Sequence, residues 1–441
     1  MLRLHCLLLD RAWRLGDRLA RRTTPAGLLA LAALVLAGAA GIDTELTLAY
    51  QIFGYAAALL AVAYLASWRL AGGLAVVRRL PAMATVDEPV RYRLAVRNPT
   101  RRTRTGLLLI EQLADTRPTR DELDARLGPL ARFSLLLTAR EWQALVRQRT
   151  PVPGRAHPLP ELPAGGEATL DIEFVPRRRG RVAFERTWLA RRDPLGLFRA
   201  LRPVANPGEL LVLPRRYPVP EMAFPGHRVY QPGGVTQAAG VGDSEEFLGL
   251  RDYRPGDPLQ HIHWKSFARV GTPIVKEFQS EYFERHALVL DTFADSADAR
   301  FEEAVSVAAS FACTVDTREC LLDLLFVGDR TYCFTTGRGQ LAPESLLEAL
   351  AHVAPRRGDV GVLERTLAEQ RQRLTSCLLV LLAWDTPRRR LLERLRATGL
   401  PTFAFVLVEE ETAAPEHGVR PLRVGRVAAD LAAVDVAGGF A

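Results

Sequence analysis

Residues 378–408 read LLVLLAWDTPRRRLLERLRATGLPTFAFVLV. An unbroken apolar run, 378–383, ends at Trp384-Asp385; a helical pattern follows over 387–397, then a second apolar run over 402–408. Apolar strands of this kind, joined by a helix, belong to a parallel sheet covered on both faces, because neither face of the strand meets water. The unit repeats upstream. The run 287–290 ends at Asp291; residues 296–315 read as a helix with Phe301, Ala304, Val305, Ala308 and Phe311 near one face; 321–327 is another strand. Further helices are expected at 344–353 and 361–373. Residues 287–441 are therefore expected to form a Rossmann-type α/β domain. Ligands of such sheets sit beyond the carboxyl ends of the strands, where Asp291 and Asp385 both fall.

Before this region the periodicity changes. Over 83–214, Val90, Tyr92, Leu94 and Val96 alternate with Arg91, Arg93, Ala95 and Arg97, and Leu170, Ile172 and Phe174 alternate with Asp171 and Glu173. Val182, Phe184 and Trp188 keep the same parity. Period-two alternation in several segments predicts an Ig-like β-sandwich. Residues 115–165 interrupt it as a charged, proline-bearing insertion, with a short helix expected near 138–148. Asp193-Pro-Leu-Gly-Leu-Phe198 reads as a turn that packs an aromatic.

The N-terminal part is different again. Two uncharged apolar runs, 26–42 and 46–68, are separated only by Asp43-Thr-Glu45. Arginines precede the first and follow the second, and the turn carries two acids. By length and by the positive-inside rule this predicts a transmembrane hairpin over 25–70 with both ends in the cytoplasm. The location expected from it is the bacterial inner membrane, multi-pass, with the lipid bilayer as a partner. Residues 1–24 are a basic, amphipathic lead whose Leu8, Ala12, Leu15 and Leu19 share a face suited to a membrane surface. A cleaved signal peptide is the competing reading.

Lys plus Arg number 58 against 50 Asp plus Glu, an excess without like-charge blocks, which argues against nucleic acid as a partner. The five cysteines form no CxxC pair, and free, buried thiols are expected. There is no Walker motif, Gly-x-Ser-x-Gly or zinc spacing, so no enzyme is expected. The two lysines of the chain, Lys265 and Lys276, both lie in 215–286, within GVGDSEEFLGLRDYRPGDPLQHIHWKSFARVGTPIVKEFQSEYFERH (240–286). Here Glu246, Asp252, Asp257 and Glu277 oppose Arg251, Arg254, Lys265, Arg269 and Lys276, around a turn at Arg254-Pro-Gly256-Asp257. Three readings stand: a salt-bridged network, a metal site of Asp257, His261 and His263, and a metal-dependent hydrolase or nuclease centred on Asp257, His263 and Lys265.

This segment closely resembles the domain of unknown function 58 family. The matching residues are Glu246-Phe247, Leu250-Arg-Asp-Tyr253-Arg-Pro-Gly-Asp-Pro-Leu259, Ile262-His263-Trp264-Lys265, Ala268-Arg269 and Val275-Lys-Glu-Phe278. Asp193–Phe198 resembles a second signature of the family. Gln260 departs from the pattern, as does the lead-in at Asp243-Ser244. The resemblance implies that 287–441 is a von Willebrand factor A-like domain. Such domains hold Mg²⁺ through Asp-x-Ser-x-Ser with later oxygen ligands and an acidic partner group. The stretch here is Asp291-Thr292-Phe293-Ala294-Asp295, and phenylalanine offers no ligand atom. Asp291, Thr292, Asp295 and Asp385 are thus the candidate ligands of a degenerate Mg²⁺ site. The resemblance also implies a scaffold or adaptor role, with a MoxR-type AAA+ ATPase as partner and a transglutaminase-like membrane protein as a second candidate. The whole chain is then expected to be multidomain α+β: transmembrane hairpin, β-sandwich and α/β domain.

Overall fold

In the computed structural model the chain divides into two compact units, residues 1–215 with 347–353, and 216–346 with 354–441. The structure describes residues 2–40, 47–68, 72–114, parts of 117–149, 156–219, 246–279 apart from Gly256 and Pro258, 284–314, 320–337, 343–409 and 418–433.

The first unit begins with helices α1 (Leu2–Arg22), α2 (Pro25–Ala40) and α3 (Thr47–Ala66). Strands β1 (Ala75–Arg79), β2 (Met83–Thr85), β3 (Val90–Arg97) and β4 (Leu107–Leu113) precede helix α4 (Leu135–Arg149); β5 (His157–Pro158), β6 (Glu167–Phe174), β7 (Gly180–Arg192) and β8 (Arg199–Leu213) follow. They form two sheets, ordered β1-β3-β6 and β2-β8-β7-β4-β5, whose inner faces share one core. Alternation decides which residues enter it: Val90, Tyr92, Leu94 and Val96 are buried, while Arg91 and Arg93 pair across the outer face with Glu173 (2.6 Å) and Asp171 (2.8 Å). Tyr92, Phe174 and Phe184 meet ring to ring at the centre.

The expected parity fails once. A bulge between Phe184 and Arg186 shifts β7 by one residue, so Phe184, Thr187 and Leu189 point inward and Trp188 is only half-buried. The inward Thr187 belongs to a buried ion pair: Arg78 Nε donates to Glu111 Oε2 (3.0 Å), and the Thr187 hydroxyl donates to Glu111 Oε1 (2.8 Å).

The expected transmembrane hairpin is overturned, and with it the multi-pass inner-membrane location. Among the described residues no helix is long and apolar enough to cross a membrane. Helix α2 has 16 residues; at ~1.5 Å per residue it falls short of a ~30 Å hydrocarbon layer. Helix α3 has 20 residues, with Gln51 and three tyrosines among them. The turn at 41–46 lies outside the described residues. Sequence reading counted apolar residues, and apolar length is not helix length. The inner faces are spent within the unit, where Leu60 and Ala63 pack with Leu197, Phe198, Ala30, Leu31 and Leu34. Leu29, Val35, Leu36, Tyr55 and Leu65 remain exposed. Helix α1 buries neither Leu8, Leu15 nor Leu19; it packs Cys6, Leu9 and Trp13 against Trp142, Leu145 and Val146 of α4.

The Asp193–Phe198 turn holds this helical pair to the sheets. Asp193 accepts hydrogen bonds from Leu195 N (2.9 Å) and Phe198 N (2.6 Å), and Gly196 takes φ 72°, which favours glycine. Thr24 donates through its hydroxyl to Gly196 O (2.6 Å) and through its backbone N–H to Leu197 O (3.0 Å). Phe198 meets Tyr64 edge-on. A Cβ on Gly27 would lie 2.1 Å from Leu197 O, so helix and turn approach at a distance only glycine permits. Gly27→Ala is expected to destabilise the first unit by about 1–3 kcal/mol, read from denaturant unfolding. An unchanged midpoint would show that the close approach is dispensable.

The second unit opens with a hairpin, β9 (Glu246–Asp252) and β10 (Ile274–Gln279), enclosing the short helix α5 (Trp264–Val270). Then come β11 (Glu284–Leu290), α6 (Ala299–Thr314), β12 (Cys320–Val327), β13 (Thr331–Thr336), α7 (Pro343–His352, of which Leu347–His352 fall in the first unit), α8 (Gly361–Gln370), β14 (Ser376–Leu381), α9 (Thr386–Ala397), β15 (Thr402–Val408), β16 (Val419–Arg423) and α10 (Val427–Ala432). The sheet order is β13-β12-β11-β14-β15-β16, parallel except for the antiparallel edge strand β13. Leu363, Leu367, Leu391, Leu392 and Leu395 pack with Val289, Leu379 and Val406 in one core cluster; Phe311 stacks on Phe405 at 5.2 Å. The order reverses between β11 and β14, the switch point at which doubly wound sheets open a crevice.

His286 on β11 is buried, 2.7 Å through Nδ1 from Ser376 Oγ, with Glu284 the facing acid at 3.5 Å from Nε2. Burial lowers its pKa from 6.5 to about 4. In the unfolded chain it takes up a proton first, so the stability of this unit is complete above the unfolded value and declines as pH falls from 6.5 toward 4. The loss is on the order of 3 kcal/mol. Chemical denaturation across that window should show this slope, and His286→Gln should flatten it. A variant with the wild-type slope would sink the assignment.

Candidate functional site

The crevice at the switch point is built from the loop after β11 and the first turn of α9. Asp291 follows β11 and keeps its ladder through Asp291 N to Val380 O (2.9 Å). Its side chain is 0% exposed. Oδ1 accepts from Phe293 N (3.0 Å), and Oδ2 accepts from Leu382 N (3.1 Å) and from Arg388 Nε (2.6 Å). Arg388 Nη1 donates to Asp385 Oδ2 (2.6 Å), and Nη2 donates to the Phe293 carbonyl (3.1 Å). Asp385 also caps α9, accepting from Arg388 N at 3.1 Å, with a proline in the first turn. Burial acts to lower the Arg388 pKa; the carboxylates of Asp291 and Asp385 outweigh it, and the guanidinium is held more firmly protonated than usual.

Of the four candidate metal ligands, the structure brings Asp291 and Asp385 together and separates the other two. The Thr292 hydroxyl donates to Val327 O (2.6 Å), tying the loop to β12. Asp295 pairs with Arg357 (2.8 Å) at the surface. Asp291 is not a helix cap; Asp298 accepts from Phe301 N (2.9 Å) in that role for α6. The Mg²⁺ implied by the family resemblance does not fit these residues. Both oxygens of Asp291 are occupied, Phe293 offers only its carbonyl, and that carbonyl is taken by Arg388. Among the described residues no group of three or more His, Cys, Asp or Glu is placed to hold a metal.

Sequence reasoning missed Arg388. The signal was present: Thr386-Pro-Arg-Arg-Arg390 puts three cations among the first five residues of a helix, the end at which the macrodipole disfavours them. Such a run needs acceptors. Arg388 finds Asp291 and Asp385, and Arg389 lies 5.5 Å over the Trp384 ring.

The β9–β10 hairpin holds most of the other singled-out residues. Arg251 grips Asp257 with two hydrogen bonds (2.7 and 2.8 Å), and Asp257 Oδ2 also accepts from Arg254 N (2.8 Å). The Arg251 hydrogen bond, with that from the Arg254 backbone, lowers the Asp257 pKa to about 2. Tyr253 N donates to Pro273 O (2.9 Å) and His263 N to Ile274 O (2.8 Å), closing the hairpin around the helix. His263 Nδ1 is 2.6 Å from Ser266 Oγ. The residues imagined as a nuclease centre thus do not converge: Asp257 is held by Arg251, His263 faces Ser266, and Lys265 is exposed on α5. Asp252 is exposed beside Arg251, and Lys276 is half-buried on β10. Glu246 and Glu277 lie in the strands with side chains outside the described set, and Gly256 lies outside the described residues.

Helix α5 buries none of its residues and ends at Gly271 in the left-handed conformation. Trp264, 63% exposed, Lys265, Ala268 and Arg269 are all exposed, Ala268 standing one turn on from Trp264 and Arg269 one turn on from Lys265. A seven-residue helix has little stability of its own. Its turn, its C-cap and the Ile262–Val275 bridge hold it.

The stretch containing both the hairpin and the switch point, residues 249–422, matches the family model described as protein of unknown function DUF58. The chain carries a DUF58 region. The uncharacterized protein YeaD of Bacillus subtilis (strain 168) is 26% identical over 187 residues, which is 42% of this chain and 45% of that protein. The match thus spans less than half the length of this relative. Red sea bream transglutaminase is similar at 12% identity over 32% of this chain and 15% of that one, with a TM-score of 0.19. At that score the likeness carries no argument. Within the DUF58 region, the hairpin with its exposed helix and the switch-point crevice with its internal arginine are the two features with chemical character.

Proposed function

We propose that the chain is a non-catalytic adaptor that binds a protein partner through the β9–β10 hairpin. The observation that carries this reading is helix α5, braced at its base and with none of its residues fully buried, Trp264 being solvent-facing and Lys265 and Arg269 exposed. Tryptophan is a frequent anchor of protein interfaces, and a large exposed aromatic on an ordered element is a surface awaiting cover. The two cations on the same side favour a partner whose apolar groove is rimmed by carboxylates. The partner proposed is a MoxR-type AAA+ ATPase, which the family resemblance implies; a transglutaminase-like protein is the second candidate on the same ground.

Affinity capture of the tagged full-length chain, with partners identified by mass spectrometry, tests the reading. An ATPase recovered with wild type and reduced at least roughly tenfold with Trp264→Ala is expected, as for loss of an interface anchor. Equal recovery with both proteins would contradict docking on this helix.

A further inference from the structure

Arg388 occupies the place at which this sheet asks for a cation. Two carboxylates, from the loop after β11 and the N-cap of α9, and the Phe293 carbonyl converge there, within 2.6, 2.6 and 3.1 Å of three different nitrogens of one guanidinium. Phe293 stands where a side-chain oxygen would be needed for a metal, and it contributes its backbone oxygen to the arginine instead. Arg388 is 9% exposed and Asp291 not at all, so neither charge is tolerable without the other.

We infer that the Arg388 guanidinium replaces a divalent ion in this crevice, so that the loop after β11 and the start of α9 are fixed from within and the DUF58 region is independent of metal. Arg388 thus lies between a fully buried carboxylate and one, Asp385, that is 44% exposed. The inference rests on the switch-point geometry alone, and its test does not involve partner binding.

Full-length protein stripped with chelator is titrated with Mg²⁺ and with Mn²⁺, following the thermal midpoint and the heat of binding. Wild type is expected to give the same midpoint in chelator and in either ion, with no saturable heat. Arg388→Ala leaves two carboxylates facing an empty place. Its midpoint in chelator is expected to fall by roughly 10 °C, and Mg²⁺ or Mn²⁺ should recover part of that loss with a mass-action dependence on ion concentration. Arg388→Lys keeps a cation with fewer donors, and an intermediate midpoint indifferent to divalent ions is expected; it serves where the alanine variant fails to fold. A wild-type midpoint that rises with Mg²⁺ would overturn the inference. So would an Arg388→Ala protein that folds and ignores every divalent ion, or an Arg388→Lys protein that responds to them.

Discussion

Arg78→Ala is expected to lower the unfolding free energy of the first unit by roughly 3–5 kcal/mol, the cost of leaving a buried partner charge uncompensated. Arg78 and Glu111 are each 1% exposed. The guanidinium meets Glu111, the Thr187 hydroxyl (3.1 Å) and the backbone carbonyl of Asn206, and lies 4.5 Å over the Phe184 ring. Alanine removes all of these and strands a carboxylate within the sandwich core. The double variant Arg78→Met with Glu111→Leu replaces charge by apolar volume and is expected to recover most of the loss. Urea unfolding measures both. If the double variant proved as unstable as the single one, the pair would matter through shape and not through unpaired charge.

Asp291→Ala should cost the second unit a similar amount, about 3–5 kcal/mol. It strands Arg388 against a half-exposed Asp385 and deprives the Leu382 and Phe293 N–H groups of their acceptor. Asp385→Ala is the internal control. Its carboxylate is partly solvated, so the expected cost is nearer 1 kcal/mol, that of a helix N-cap. The ordering of these two variants carries the test. A greater loss at Asp385 than at Asp291 would mean that the buried end of the pair is not where the crevice is held.

The second unit was legible because burial on both faces of a parallel sheet leaves continuous apolar runs. The strand over 402–408 was placed at Thr402–Val408, and the helix over 387–397 at Thr386–Ala397. The paired sheets of the first unit were visible in the alternation of β3 and β6, but not the bulge in β7, which inverts the parity of everything after Phe184 without altering composition. The transmembrane reading failed because hydropathy reports how apolar a segment is and not where its helix ends or what it packs on. The side of Leu60 and Ala63 meets Leu197 and Phe198, a pairing between segments far apart in sequence.

The candidate site was half legible. Asp291 and Asp385 were found from their place at the ends of strands. Arg388 was not, because three adjacent arginines in a chain holding 56 (58 basic residues less two lysines) look like background. Its role follows from helical geometry, which returns the third residue of α9 toward the N-cap and over the end of β11. The hairpin offered the reverse difficulty. Its charges were seen, but sequence could not separate Asp257, held by Arg251, from Lys265, which stands free of the turn on an exposed helix.

The adaptor reading is tested most directly by titrating a purified MoxR-type ATPase against the full-length chain and its Trp264→Ala variant. The account predicts saturable binding to wild type and an affinity at least roughly tenfold weaker for the variant. Binding that is absent from wild type, or equal in the two proteins, would contradict it.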